Sequence, residues 1–112
     1  MNIRTLACRL AIAAVGFASM HAAFADEAEM VRAKKCMSCH ALDQKLVGPA
    51  FKSVAAKYAN LKDAELLDTE TRLAKKIREG GSGVWGVVPM PANPEVNAAE
   101  AQRLAHWVLM QK

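Results

Sequence analysis

Cys36 and Cys39 stand three positions apart and His40 follows at once, giving a single C-x-x-C-H run, Cys36-Met37-Ser38-Cys39-His40. Any fold for this chain has to be built around it. A cysteine pair at that spacing closes too short a loop to staple a whole domain. A structural zinc site takes four protein ligands. Beyond the first 25 residues, only His106 could join Cys36, Cys39 and His40 as an N or S ligand, and it lies far along the chain. A thioredoxin-like redox pair sits in a βαβ setting, and no strand pattern here supplies one. A plain disulfide would leave His40 without a role.

Covalent attachment of a c-type haem uses all three residues. Two thiols on one helical turn can reach the two vinyl groups on one porphyrin edge, and the next residue can then present its imidazole to the iron. The sequence therefore predicts one haem c, attached through Cys36 and Cys39 and ligated by His40. The size of the chain agrees. At 112 residues it allows one small domain and no multidomain enzyme. A domain this small buries a modest share of its surface and usually needs a cofactor, metal or disulfides.

Residues 1–25 read as a cleaved secretory leader. Arg4 and Arg9 come first, an apolar stretch runs from Leu10 to Met20, and Ala23 and Ala25 form an A-x-A site before Asp26. The apolar stretch is well short of the ~20 residues that span a bilayer. Cys8 precedes that stretch and is incidental. The domain is then 26–112. Cleavage removes two bases and no acids, leaving 13 basic against 11 acidic side chains. That balance, with no long basic run and few aromatics, argues against nucleic-acid binding. A leader without a second apolar span predicts a periplasmic product with no membrane span.

The remaining pattern is all-α. Helices are expected over Asp26–Cys36, Ala50–Tyr58, Thr69–Glu79 and Asn97–Gln111. In the last of these, Asn97 and Glu100 have capping-box spacing, and Ala101, Leu104, Ala105 and Val108 form an apolar stripe. Asn60–Asp68 suggests a short helical turn. Leu42–Pro49 and the Gly- and Pro-rich Gly80–Pro94 read as loops, and no segment alternates like a sheet.

A second axial ligand would suit the iron to electron transfer. Four methionines follow the leader. Met30 and Met110 fall on terminal helices and Met37 falls within the haem-binding turn. Met90 lies in Pro89-Met90-Pro91, where flanking prolines stiffen the backbone that presents its thioether. Met/His ligation is the arrangement of cytochromes c, so Met90 is the expected partner of His40. The alternative is a haem protein that binds ligands or acts like a peroxidase through a labile sixth position.

Together, C-M-S-C-H, V-G-P-A-F, G-V-W-G-V-V-P-M-P-A-N and the final A-x-W-V-L-x-Q-K resemble the small bacterial class I cytochromes c of the c-551 type. The likeness covers essentially all of 26–112. It implies four to five short helices around one haem and a diffusible single-electron carrier rather than an enzyme. The donor would be a membrane cytochrome complex. The acceptor would be a nitrite reductase, oxidase or peroxidase, met by transient docking of a monomer. It also implies that the Pro49 carbonyl accepts a hydrogen bond from His40, that Asn93 holds the methionine sulfur, and that Trp85 reaches a haem propionate. Lys76 stands where close relatives can carry arginine, and a lysine cannot form a bidentate fork. Phe51, Val54, Leu73, Ile77, Leu104 and Trp107 are expected to form the apolar shell. Leu46, Val47, Val87 and Val88 are expected to form an exposed patch, ringed by Lys34, Lys45, Lys52 and Lys57.

Overall fold

The computed structural model describes residues 18–112. Cys8 and most of the leader, residues 1–17, lie outside them. Four helices carry the fold: α1 (Ala18–Ala33), α2 (Phe51–Lys57), α3 (Asp63–Glu79) and α4 (Ala98–Leu109). A single 3-10 turn, Cys36–Ser38, follows α1. Helix α1 continues without a break across Ala25 and Asp26. Among the described residues, no helix is long and apolar enough to cross a membrane.

The expectation of a sheet-free chain is corrected. β1 (Gly81–Gly83) and β2 (Gly86–Met90) form an antiparallel hairpin, with Gly81 opposite Met90 and Gly83 opposite Gly86. Alternation betrays a strand only when one face is buried and the other wet. Both strands are exposed almost throughout, so nothing in the side-chain pattern marks them. The glycines supply the backbone freedom that the hairpin needs, with positive φ at Gly81, Gly83 and Gly86.

A second correction concerns α3, which begins at Asp63 and absorbs most of the segment expected to be a separate turn. Asp63 and Glu65 lie in its first turn, and Lys76 and Arg78 in its last, as the helix dipole favours. Gly80, at φ 72°, ends it.

Helix α4 is the centre of the packing. Asn97 caps it through the expected box: the Glu100 amide donates to Asn97 Oδ1 at 2.9 Å, and the Asn97 amide donates to Glu100 Oε2 at 3.0 Å. Its stripe of Ala101, Leu104, Ala105 and Trp107 is buried against Val31 of α1, Phe51 of α2, Ala74 of α3 and Val96. The alanines let the neighbouring helices approach closely. Val108, the last residue of the expected stripe, is only half-buried. Lys34, just past α1, reaches the start of α4, donating to the Glu95 carbonyl at 3.0 Å and pairing with Glu100 at 3.2 Å. Arg103 of α4 pairs with Glu27 at 2.7 Å and Asp26 at 2.9 Å, fastening the same two helices at a second point.

Candidate haem site

The Cys36–Cys39 turn is organised by its own backbone. Lys35 enters it in the left-handed region, at φ 61°. The Cys39 and His40 amides both donate to the Cys36 carbonyl, at 3.2 and 3.0 Å. Both cysteines are half-buried free thiols, and burial pushes the Cys36 thiol above its ordinary range. From this turn the chain doubles back. The Gly48 amide donates to the Cys39 carbonyl at 2.8 Å, and the Phe51 amide to the Ala41 carbonyl at 2.9 Å.

That return brings Pro49 under His40. The imidazole Nδ1 and the Pro49 carbonyl oxygen are 2.8 Å apart, so Nδ1 carries the proton and Nε2 keeps its lone pair. Gly48 allows this closeness. A Cβ at that position would stand 2.8 and 2.9 Å from the two ring nitrogens, a distance that side-chain carbons do not tolerate.

His40 opens onto a cavity of about 540 Å³. Val47, Val54, Leu73, Ile77 and Val88 line it, and so do Cys39, Pro49, Trp85 and Met90. Such a volume is within the usual range for small-molecule and cofactor sites. One imidazole, one thiol and one thioether facing a largely apolar chamber suit a flat apolar macrocycle with a metal at its centre. Of the residues singled out in the sequence, the cavity unites Cys39, His40, Pro49, Trp85 and Met90. Cys36 and Asn93 lie outside the lining, and Cys36 packs against the core.

Met90 is carried by the end of β2 and held from behind. Asn93 donates through Nδ2 to the Ile77 carbonyl at 2.8 Å and to the Pro91 carbonyl at 3.4 Å. Its amide therefore staples the methionine segment to α3. The Asn93 backbone amide adds a bond to the Arg78 carbonyl at 3.1 Å. Gly80 is the counterpart of Gly48 on this side. A Cβ there would run into the Met90 carbonyl and come within 2.8 Å of the Ala92 nitrogen. From the sequence, Gly80 is expected only to stop the preceding helix, and Gly48 has no assigned role. The only signal available was a glycine one residue before a proline, and another at the end of a helix.

The expected shell residues divide. Phe51, Val54, Leu73 and Ile77 line the cavity, the first two buried and the last two half-buried, whereas Leu104 and Trp107 lie outside the lining, buried in the core behind it. The residues of the expected apolar patch are exposed: Leu46, Val47, Val87 and Val88 all are, Val87 most of all at 90%, and Val47, Val87 and Val88 meet at the cavity. Its expected lysine ring is weaker. Lys34 is committed to Glu95 and Glu100, and Lys52 pairs with Asp43 at 2.6 Å. Lys45 lines the cavity, and Lys57 lies 5.8 Å from the centroids of both Tyr58 and Trp85, within cation–π range. Lys76 also lines the cavity, close to Gly81.

Comparison with known proteins gives a consistent result. The family model for cytochrome c matches residues 25–112. Cytochrome c-551 of Azotobacter vinelandii is 56% identical over 84 residues, covering 75% of this chain and 95% of the relative. Cytochrome c-551 of Pseudomonas aeruginosa is 46% identical over 104 residues, covering 92% and 94%. In three dimensions, the crystal structure of Nitrosomonas europaea cytochrome c552 matches with a TM-score of 0.68 at 48% identity, over 76% of this chain and 99% of that one. With a family model matched over all but the first residues, relatives near half identical and a solved structure of the same fold, this chain belongs to the cytochrome c family and is one of its small class I monohaem members, with the class I fold.

Proposed function

We propose that this protein is a diffusible single-electron carrier whose haem c is joined through Cys36 and Cys39 and ligated by His40 and Met90. Bound haem supplies a one-electron iron couple, and the protein tunes and insulates it. The observation that carries this reading is that His40 and Met90 line one apolar cavity. The Pro49 carbonyl fixes the tautomer that leaves Nε2 available for metal. The Met90 thioether is a soft, neutral donor that favours the ferrous state, and an apolar lining disfavours the additional charge of the ferric state. Both raise the reduction potential. Trp85 lines the same cavity and can offer its indole N–H to a propionate, and Asn93 orients the methionine segment from α3.

The leader at 1–25 directs export to the periplasm, where cleavage leaves a domain spanning 26–112. The exposed Val47, Val87 and Val88 patch supports brief docking with redox proteins. A membrane cytochrome complex is the donor in this reading, and a nitrite reductase, oxidase or peroxidase the acceptor.

The test is the absorption spectrum of holoprotein matured in a periplasm. A ferric form with a weak near-infrared sulfur-to-iron band, and a ferrous form that does not take up carbon monoxide, are expected. Ready carbon monoxide binding by the native ferrous protein overturns the Met90 assignment and with it the carrier role.

A further inference from the structure

The hydrogen bond from His40 to Pro49 fixes which nitrogen faces the cavity. One hydrogen bond leaves the imidazole plane free to rock about the line through that bond, and other contacts remove that freedom. Phe51, the first residue of α2, stacks on His40 with ring centroids 5.0 Å apart and planes 16° from parallel. This is the offset-stacked geometry that aromatic rings prefer. Phe51 is itself buried, at 5% exposure, and is fixed from behind. Trp107 of α4 meets it edge-on, with centroids 5.5 Å apart and planes at 82°. The Gly48 backbone adds a further wall. Its projected Cβ would be nearly equidistant from the two ring nitrogens, which sets Gly48 against His40 as well.

We propose that Phe51 is a positioning residue that sets the plane of the His40 imidazole, with Trp107 acting through it. The inference rests on the reading of His40 as an axial ligand and adds to it. A ring that cannot rock presents the same donor orbital in both oxidation states, which keeps reorganisation small during electron transfer. The Pro49 carbonyl selects the nitrogen, and the aromatic pair selects the angle. The route from that angle to the core runs through α4, the helix around which the rest of the molecule packs.

In the ferric holoprotein the orientations of the imidazole and of the Met90 thioether together govern how unpaired spin is shared among the four haem methyl groups, so the paramagnetic NMR spectrum reads a change in the imidazole plane when the Met90 side-chain resonances and their contacts to the haem stay as in wild type. Phe51→Leu keeps an apolar side chain and removes the flat ring. The expected result is a shift and reordering of the four methyl resonances, with the near-infrared band retained, and recovery of the wild-type order in Phe51→Tyr. Leu104→Ala is the control for general loosening of the core, since Leu104 is buried at 2% and lies outside the cavity lining. It should lower the melting temperature without reordering the methyl resonances. A Phe51→Leu holoprotein with the wild-type methyl pattern overturns the inference, as does a Leu104→Ala spectrum reordered in the same way. If Phe51→Leu yields no holoprotein, Trp107→Leu decides: reordering supports the inference and an unchanged pattern overturns it. A wild-type ferric protein without the axial histidine and methionine signatures overturns the proposed function, an outcome visible before any variant is made.

Discussion

His40 shows how much a single residue depends on neighbours that have no chemistry of their own. Its hydrogen bond runs to a proline carbonyl, and that carbonyl is within reach only because residue 48 has no side chain. Gly48→Ala places a methyl group against the ring, and either the ring or the loop must move. Forcing extra volume into a packed site typically costs 1–3 kcal/mol, so chemical denaturation of the holoprotein should show a loss of about that size. Met90, the proposed second ligand, gives a prediction of different character. Met90→Ala removes the soft donor while leaving Pro89 and Pro91 to hold the loop. A lower reduction potential by voltammetry and new binding of carbon monoxide to the ferrous form are expected. Unchanged potential and spectrum would remove Met90 from the ligand set. These residues differ in how visible they are before folding. C-x-x-C-H is legible because attachment chemistry demands that local spacing. The stack of Phe51 on His40 is eleven positions away along the chain and reveals itself only in space.

At the scale of elements, α4 was the most legible and the hairpin the least. Helix α4 has a cap, a box partner and an apolar stripe at helical spacing, all of which are local signals. Its cap also carries a pH dependence. The Asn97 amide, and after it Lys34, hold the Glu100 carboxyl below the usual carboxylate range. Ionisation of that group therefore favours the folded state. The contribution is complete above the ordinary glutamate value of about 4.3 and is lost as pH falls through the lowered folded value. Glu100→Gln should accordingly melt lower than wild type near neutral pH. The gap should close on acidification below that range, as followed by the helical circular dichroism signal. A gap that is constant from neutral to strongly acidic pH would exclude this linkage. Helix α3 was half legible, because Leu73 and Ile77 mark its later turns while its first turns are exposed on most sides. The strands of the hairpin are exposed almost throughout, so no burial contrast was written into them.

For the whole molecule, the defining fact is that a small domain builds one apolar cavity of about 540 Å³ from its haem-binding turn, its helices and its hairpin. Apolar walls facing each other across such a space gain little until something fills it. Without attached haem, for example in Cys36→Ala/Cys39→Ala, most of the helical circular dichroism signal should be lost. A fully helical, cooperatively melting apoprotein would show that the polypeptide core suffices alone. Charge acts at this scale too. With Lys34 and Lys52 already paired to acids, steering of an anionic partner falls to Lys45 and Lys57 near the cavity mouth. Reduction rates with such a partner should fall as salt is added, and more gently in Lys45→Gln. Rates that are flat from low to moderate ionic strength would exclude steering.

The sequence by itself determined the C-x-x-C-H spacing that haem attachment requires, the methionine held between two prolines and the capped terminal helix. Each of these is a matter of covalent spacing or of backbone restriction within a few residues. The tertiary structure decided the rest: that Gly48 and Gly80 are the close approaches, that Asn93 staples the methionine segment to α3, that half of the lysine ring is spent on acids, and that Phe51 and Trp107 brace the imidazole. Those facts depend on which distant segments meet, and contact between distant segments is set by how α4 gathers the other helices around it, not by any local pattern.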